Sequence, residues 1–212
     1  TRLIRLFRNN KNIRFDGIVH ETINPLIHRL GDVKSADFPI HHFGRLKVKT
    51  EHKKDLYQKL GKFKLSQRND FHSYSQLGTQ SQEVGDYERA IILFKKSIEL
   101  NKDYFKSWLN LGACYLKLNK LNEAEHALKT AALLEPNDYS VHNNLGIVYS
   151  KLNAPEIAIK EFIVALNLNP KSANTCFNLG LTYDRTGLNY KAYEFFKKAI
   201  ELNPKYKEKV KL

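Results

Sequence analysis

Three asparagines, Asn110, Asn144 and Asn178, stand 34 residues apart, and Gln76 occupies the same place one step earlier. A primary carboxamide offers N–H donors and a carbonyl acceptor, which together complement a peptide unit. A row of them at constant spacing can hold an extended chain by its main chain, with little regard to its side chains. The rival reading is that each asparagine bonds within its own local fold. Other reactive residue types group less well. Cys114 and Cys176 are 62 residues apart and fit no metal spacing, so they read as small core residues of a reducing compartment. His41 and His42 are neighbours on a short apolar strand, point to opposite faces and cannot chelate together. They and His28 read as structural.

The asparagine spacing is the spacing of a whole unit. Leu-Gly recurs at Leu77-Gly78, Leu111-Gly112, Leu145-Gly146 and Leu179-Gly180. Twelve residues after each Gly comes an Ala (Ala90, Ala124, Ala158, Ala192), then a bulky apolar residue (Phe94, Leu128, Phe162, Phe196). A small residue follows (Ser97, Ala131, Ala165, Ala199), and three of the four units carry a late Pro (Pro136, Pro170, Pro204) where the first has Lys102. A fixed period of this length predicts stacked helical hairpins over 71–104, 105–138, 139–172 and 173–206, with a stub at 207–212. Gly and Ala sit where backbones approach, and Pro stops the second helix of each pair. No hairpin buries its apolar face alone, whereas four stacked ones can.

These residues resemble the tetratricopeptide repeat family, most fully in the unit carrying Trp108, Leu111, Gly112, Tyr115, Ala124, Ala131 and Pro136. The resemblance implies a mainly α fold, a right-handed α-α superhelix of four hairpins, with the first helix of each lining a concave groove. Counting Phe71, Phe105, Tyr139 and Ala173 as position one, the inner face falls near positions 2, 5, 6, 9 and 12. Position 6 is the asparagine row, which is similar to the asparagine ladder of O-linked N-acetylglucosamine transferase. Asn143 and an apolar strip of Leu109, Leu116, Ile147, Phe177 and Leu181 share that face, suiting a protein or peptide with some apolar side chains, or a helix of the same protein packed there. The pattern departs from the basic clamp of chaperone-binding repeats, which argues against a chaperone adaptor.

The 212-residue chain carries 35 Lys and Arg against 22 Asp and Glu. Residues 1–70 hold 16 basic and 7 acidic side chains, yet no recognition motif accompanies the charge, so nucleic acid is not an expected partner. There is no signal peptide and no apolar run long enough to cross a bilayer, which gives a cytoplasmic expectation. Residues 1–48 read as a small α/β piece that cannot bury a core alone. Residues 49–70 read as a connecting helix and linker, with Leu56, Tyr57, Leu60 and Phe63 on one side.

Leu6-Phe7-Arg8-Asn9, the run from Ile13 to Glu21 and Ile40-His41-His42-Phe43-Gly44 together resemble the last segment of a bacterial family-2 glycosyltransferase domain of GT-A type. That resemblance implies that His20 is a ligand of a divalent cation (Mn²⁺ or Mg²⁺) bridging a nucleotide-sugar diphosphate, with Glu21 beside it in a catalytic role. The rival reading of His20 is a hydrogen-bonded histidine at a strand end. The chain has no Met and opens on a strand-like run, so it reads as a fragment of a longer protein, inactive and cofactor-free by itself. After Pro204 only eight residues remain, and Tyr190, Tyr193 and Phe195 crowd the last hairpin. Either the end is trimmed, or this uncapped face contacts another copy or a partner. Three functions stay in view: the C-terminal part of a glycosyltransferase, a non-catalytic repeat scaffold, and an adaptor using its basic part at an anionic surface.

Overall fold

Eight helices of nearly equal length follow one another in the computed structural model, which describes residues 69–210. The expected elements of residues 1–65, and with them His20, Glu21, His28, His41 and His42, lie outside the described residues. The helices pair as α1 (Phe71–Glu83) with α2 (Tyr87–Leu100), α3 (Phe105–Lys117) with α4 (Leu121–Leu134), α5 (Tyr139–Lys151) with α6 (Pro155–Leu168), and α7 (Ala173–Arg185) with α8 (Asn189–Leu202). A 3₁₀ helix, Pro204–Lys209, follows. Among the described residues there is no strand.

Local chemistry sets the ends. Asp70 caps α1 by accepting the Ser73 amide at 2.8 Å, and Asp138 caps α5 by accepting the amides of Ser140 and Val141 at 2.8 and 3.3 Å. Pro155 opens α6, where its missing N–H costs nothing. The turn inside every hairpin passes through a left-handed residue, at Gly85 (φ 78°), Asn119 (φ 57°), Asn153 (φ 60°) and Gly187 (φ 76°). Gly and Asn are the types that enter that region at least cost.

The core repeats with the sequence. Ala90, Ala124, Ala158 and Ala192 are buried, as are Phe94, Leu128, Phe162 and Phe196 beneath the glycines. A Cβ at Gly78, Gly112, Gly146 or Gly180 would fall within 2.5–2.7 Å of those four side chains in turn, so the two helices of each hairpin close to a distance only glycine permits. Ser97 stands where the later units have Ala. Its hydroxyl donates to Phe71 O at 2.7 Å and accepts from the Ser107 hydroxyl at 2.8 Å, so a buried polar group is satisfied and ties α1, α2 and α3 together. Both cysteines are free and buried. Burial pushes the Cys114 thiol up to about 12, and raises Cys176 also, which leaves them as inert core residues.

Each second helix packs on the first helix of the next unit. Successive first helices (α1, α3, α5, α7) also touch, whereas successive second helices hardly meet. The stack therefore curves with the first helices inside, giving the superhelical solenoid that the period predicts.

Candidate peptide-binding groove

The inner wall is one face of α1, α3, α5 and α7. Gln76 is exposed there, and Asn110, Asn144 and Asn178 are half-buried. None of the three side-chain carboxamides bonds within its own hairpin among the described residues. Asn178 instead reaches back one unit, its Nδ2 donating to Asn143 Oδ1 at 3.1 Å. Asn143 is buried, at 6% exposure, so this bond satisfies an oxygen that water barely reaches. One unit earlier Leu109 occupies the place of Asn143. It offers no acceptor, and the Asn144 carboxamide has no side-chain partner among the described residues. The same holds for Asn110. The row is thus not uniform: two carboxamides are open, and the third is partly spent on the groove's own wall.

The apolar strip is also divided. Leu109, Leu116 and Ile147 are half-buried, and Leu181 is 41% exposed. Phe177 is covered from below, its ring 4.8 Å from Tyr206 and 5.8 Å from Phe196, with Val210 packed on the same cluster. The Tyr206 hydroxyl also donates to Asn174 Oδ1 at 3.3 Å. The expectation of an uncapped end is corrected as far as Val210: the 3₁₀ helix Pro204–Lys209 folds back on α7, because Tyr206 and Val210 find the apolar ring of Phe177. Tyr190 and Tyr193 on α8 remain exposed, at 68% and 57%, while Phe195 lies stacked on Tyr183.

A polar cluster links α5 and α7. Arg185 Nη1 donates to Ser150 O at 2.8 Å and to Ser150 Oγ at 3.1 Å. The Thr182 hydroxyl, on the same helix, lies 3.4 Å from Ser150 Oγ and donates to Asn178 O at 2.9 Å. Ser150 sits at an expected inner-face position. Arg185, the next position along the helix, does not, although Lys117 and Lys151 precede it at the 34-residue step.

The outer side is built differently. His142 lies between Glu161 Oε2 and Pro136 O, at 2.8 Å from each ring nitrogen, and so joins α5, α6 and the inter-unit turn. Glu125 accepts from Lys129 Nζ at 2.7 Å and from the Tyr149 hydroxyl at 3.0 Å. The Lys129 hydrogen bond holds its carboxyl below the ordinary carboxylate value. A cavity of about 580 Å³ opens between α2, α3 and α4, walled mainly by Trp108, Ile98, Leu111 and Tyr115. No group of three His, Cys, Asp or Glu able to hold a metal occurs among the described residues, and no helix among them is long and apolar enough to cross a membrane.

Comparison with known proteins agrees with this geometry. Residues 82–145 and 173–206 match tetratricopeptide repeat family models. Anaphase-promoting complex subunit cut9 of Schizosaccharomyces pombe is 36% identical over 59 residues, 28% of this chain and 9% of that protein. Subunit 3 of the same complex and organism is 28% identical over 67 residues, 32% of this chain and 10% of that protein. The chain thus spans about a tenth of the length of these curated relatives. Among solved structures, a crystal structure of MamA superposes with a TM-score of 0.63 at 22% identity, covering 80% of this chain and 99% of that one. A second MamA structure gives 0.60 at 26% identity, covering 77% and 91%.

Proposed function

We infer that this chain, which carries tetratricopeptide repeats, is a protein-interaction scaffold whose inner groove holds an extended segment of a protein partner by its main chain. The observation that carries this reading is the pair of half-buried carboxamides, Asn110 and Asn144, which face the groove without side-chain partners among the described residues. Each presents a donor and an acceptor at a height set by the repeat, matching an extended peptide better than a compact ligand. Leu109, Leu116 and Ile147 alongside them would cover apolar side chains of the same segment.

The resemblance of residues 1–48 to the end of a family-2 glycosyltransferase, with His20 and Glu21 at the edge of a donor site, is a separate proposal resting on those residues alone. The relatives found through the repeats favour the scaffold, so sugar transfer is no part of this conclusion. Tyr190 and Tyr193 support a second use of the stack, contact between copies through α8.

One set of spectra tests both. On adding a capped peptide of alternating serine and valine, the side-chain carboxamide signals of Asn110 and Asn144 should shift, together with amides of α1, α3, α5 and α7. Shifts confined to the second helices, or none at millimolar peptide, would refute the groove reading. Line widths that do not change with protein concentration would remove the contact between copies.

A further inference from the structure

The first helices carry a small excess of positive charge that the second helices lack. The four second helices hold eight Lys or Arg and eight Asp or Glu side chains. The four first helices hold Lys106, Lys117, Lys151 and Arg185 against Glu83 and Asp184. Three of these cations end consecutive first helices, where α1 ends in Glu83. A helix C-terminus favours a cation there, but that does not account for where the side chains go. Arg185 crosses to Ser150 of the preceding first helix, and Lys151 Nζ reaches Asn119 Oδ1 of the preceding turn at 3.4 Å. Both lean along the stack, and Lys117, Lys151 and Arg185 each lie seven residues, about two helical turns, after Asn110, Asn144 and Asn178 on the same side of their helices. None of the four cations is paired with a carboxylate among the described residues. The ion pairs there are Lys96–Glu99, Lys129–Glu125 and His142–Glu161, which involve second helices throughout.

We propose that the groove selects acidic segments, with the main chain on the asparagine row and side-chain carboxylates on Lys117 and Lys151. The inference rests on the groove reading and adds to it the charge of the partner. Opposite charges along one edge would set register and speed the encounter more than they add affinity. A single-file row on one wall of a groove suits carboxylates projecting from one extended chain.

The test uses three capped peptides on a serine–valine background, with Glu, Gln or Lys at every third residue, titrated against the full chain. Affinity should rank Glu over Gln over Lys, with Glu about tenfold above Gln at low salt and the gap narrowing as salt rises. The double variant K117E/K151E, altered only at exposed positions, should bind the Glu peptide at least tenfold more weakly and the Gln peptide unchanged. Equal affinity for all three peptides overturns the charge selection while leaving the groove reading intact. Loss of the Gln peptide in the double variant overturns the division of labour between the two rows. Single-stranded oligothymidylate bound as tightly as the Glu peptide would overturn the assignment to acidic protein segments.

Discussion

Replacing Phe162 with Ala should destabilise the stack by about 3–5 kcal/mol, read as a drop in the midpoint of denaturant unfolding at unchanged helical content before the transition. The ring is 1% exposed and lies under Gly146, where a Cβ would come within 2.6 Å of it. The surrounding backbone is held by contacts of its own on both sides, so it can collapse only partly into the space a missing ring leaves. Domains of this size are stable by about 5–15 kcal/mol in all, so the loss would be a large share. In a quasi-one-dimensional array the damage passes to the neighbouring units through their interfaces. Ile163, the next residue in the chain, is 42% exposed, and the same truncation there should cost no more than about 0.5 kcal/mol. If the two variants were equally stable, the packing of glycine against ring would not be what holds the hairpin closed.

The second large effect concerns binding. Changing Asn110, Asn144 and Asn178 together to Ala should weaken capture of the serine–valine peptide by at least about tenfold, measured by calorimetric titration. A carboxamide bond to a peptide group contributes a net ~0.5–1.5 kcal/mol, and three of them together about 1.5–4.5 kcal/mol. The three sites differ in their cost to the fold. Asn178→Ala strands the buried Oδ1 of Asn143 and should lower stability by about 1–3 kcal/mol. The double variant at Asn110 and Asn144 breaks no side-chain bond among the described residues and should keep wild-type stability while losing most of the affinity. Affinity retained in that double variant would leave the row a structural feature only.

What the sequence made readable was the part of the fold that repeats. Gly146 and Phe162 sit 16 residues apart in a unit written four times, so their facing contact follows from the period. The left-handed turn residues are all Gly or Asn, the two types suited to that conformation, and could be read in the same way. What escaped is what breaks the period. Asn178 finds a partner and Asn144 does not because Asn143 and Leu109 differ at a position with no fixed residue type. The turn over Phe177 depends on Tyr206 and Val210, which belong to no repeat. Arg185 reaches Ser150 because consecutive first helices touch on the inside of the curve, a property of the stacking rather than of either helix.

Recognition through the main chain is the central claim, and backbone methylation tests it most directly. The serine–valine peptide would be titrated beside one copy with N-methyl groups on alternate residues and another with serine and valine exchanged throughout. Exchanging the side chains should change Kd less than threefold, while N-methylation, which removes backbone donors and leaves every side chain in place, should abolish saturable binding. A methylated peptide that binds as well as its parent would contradict the account.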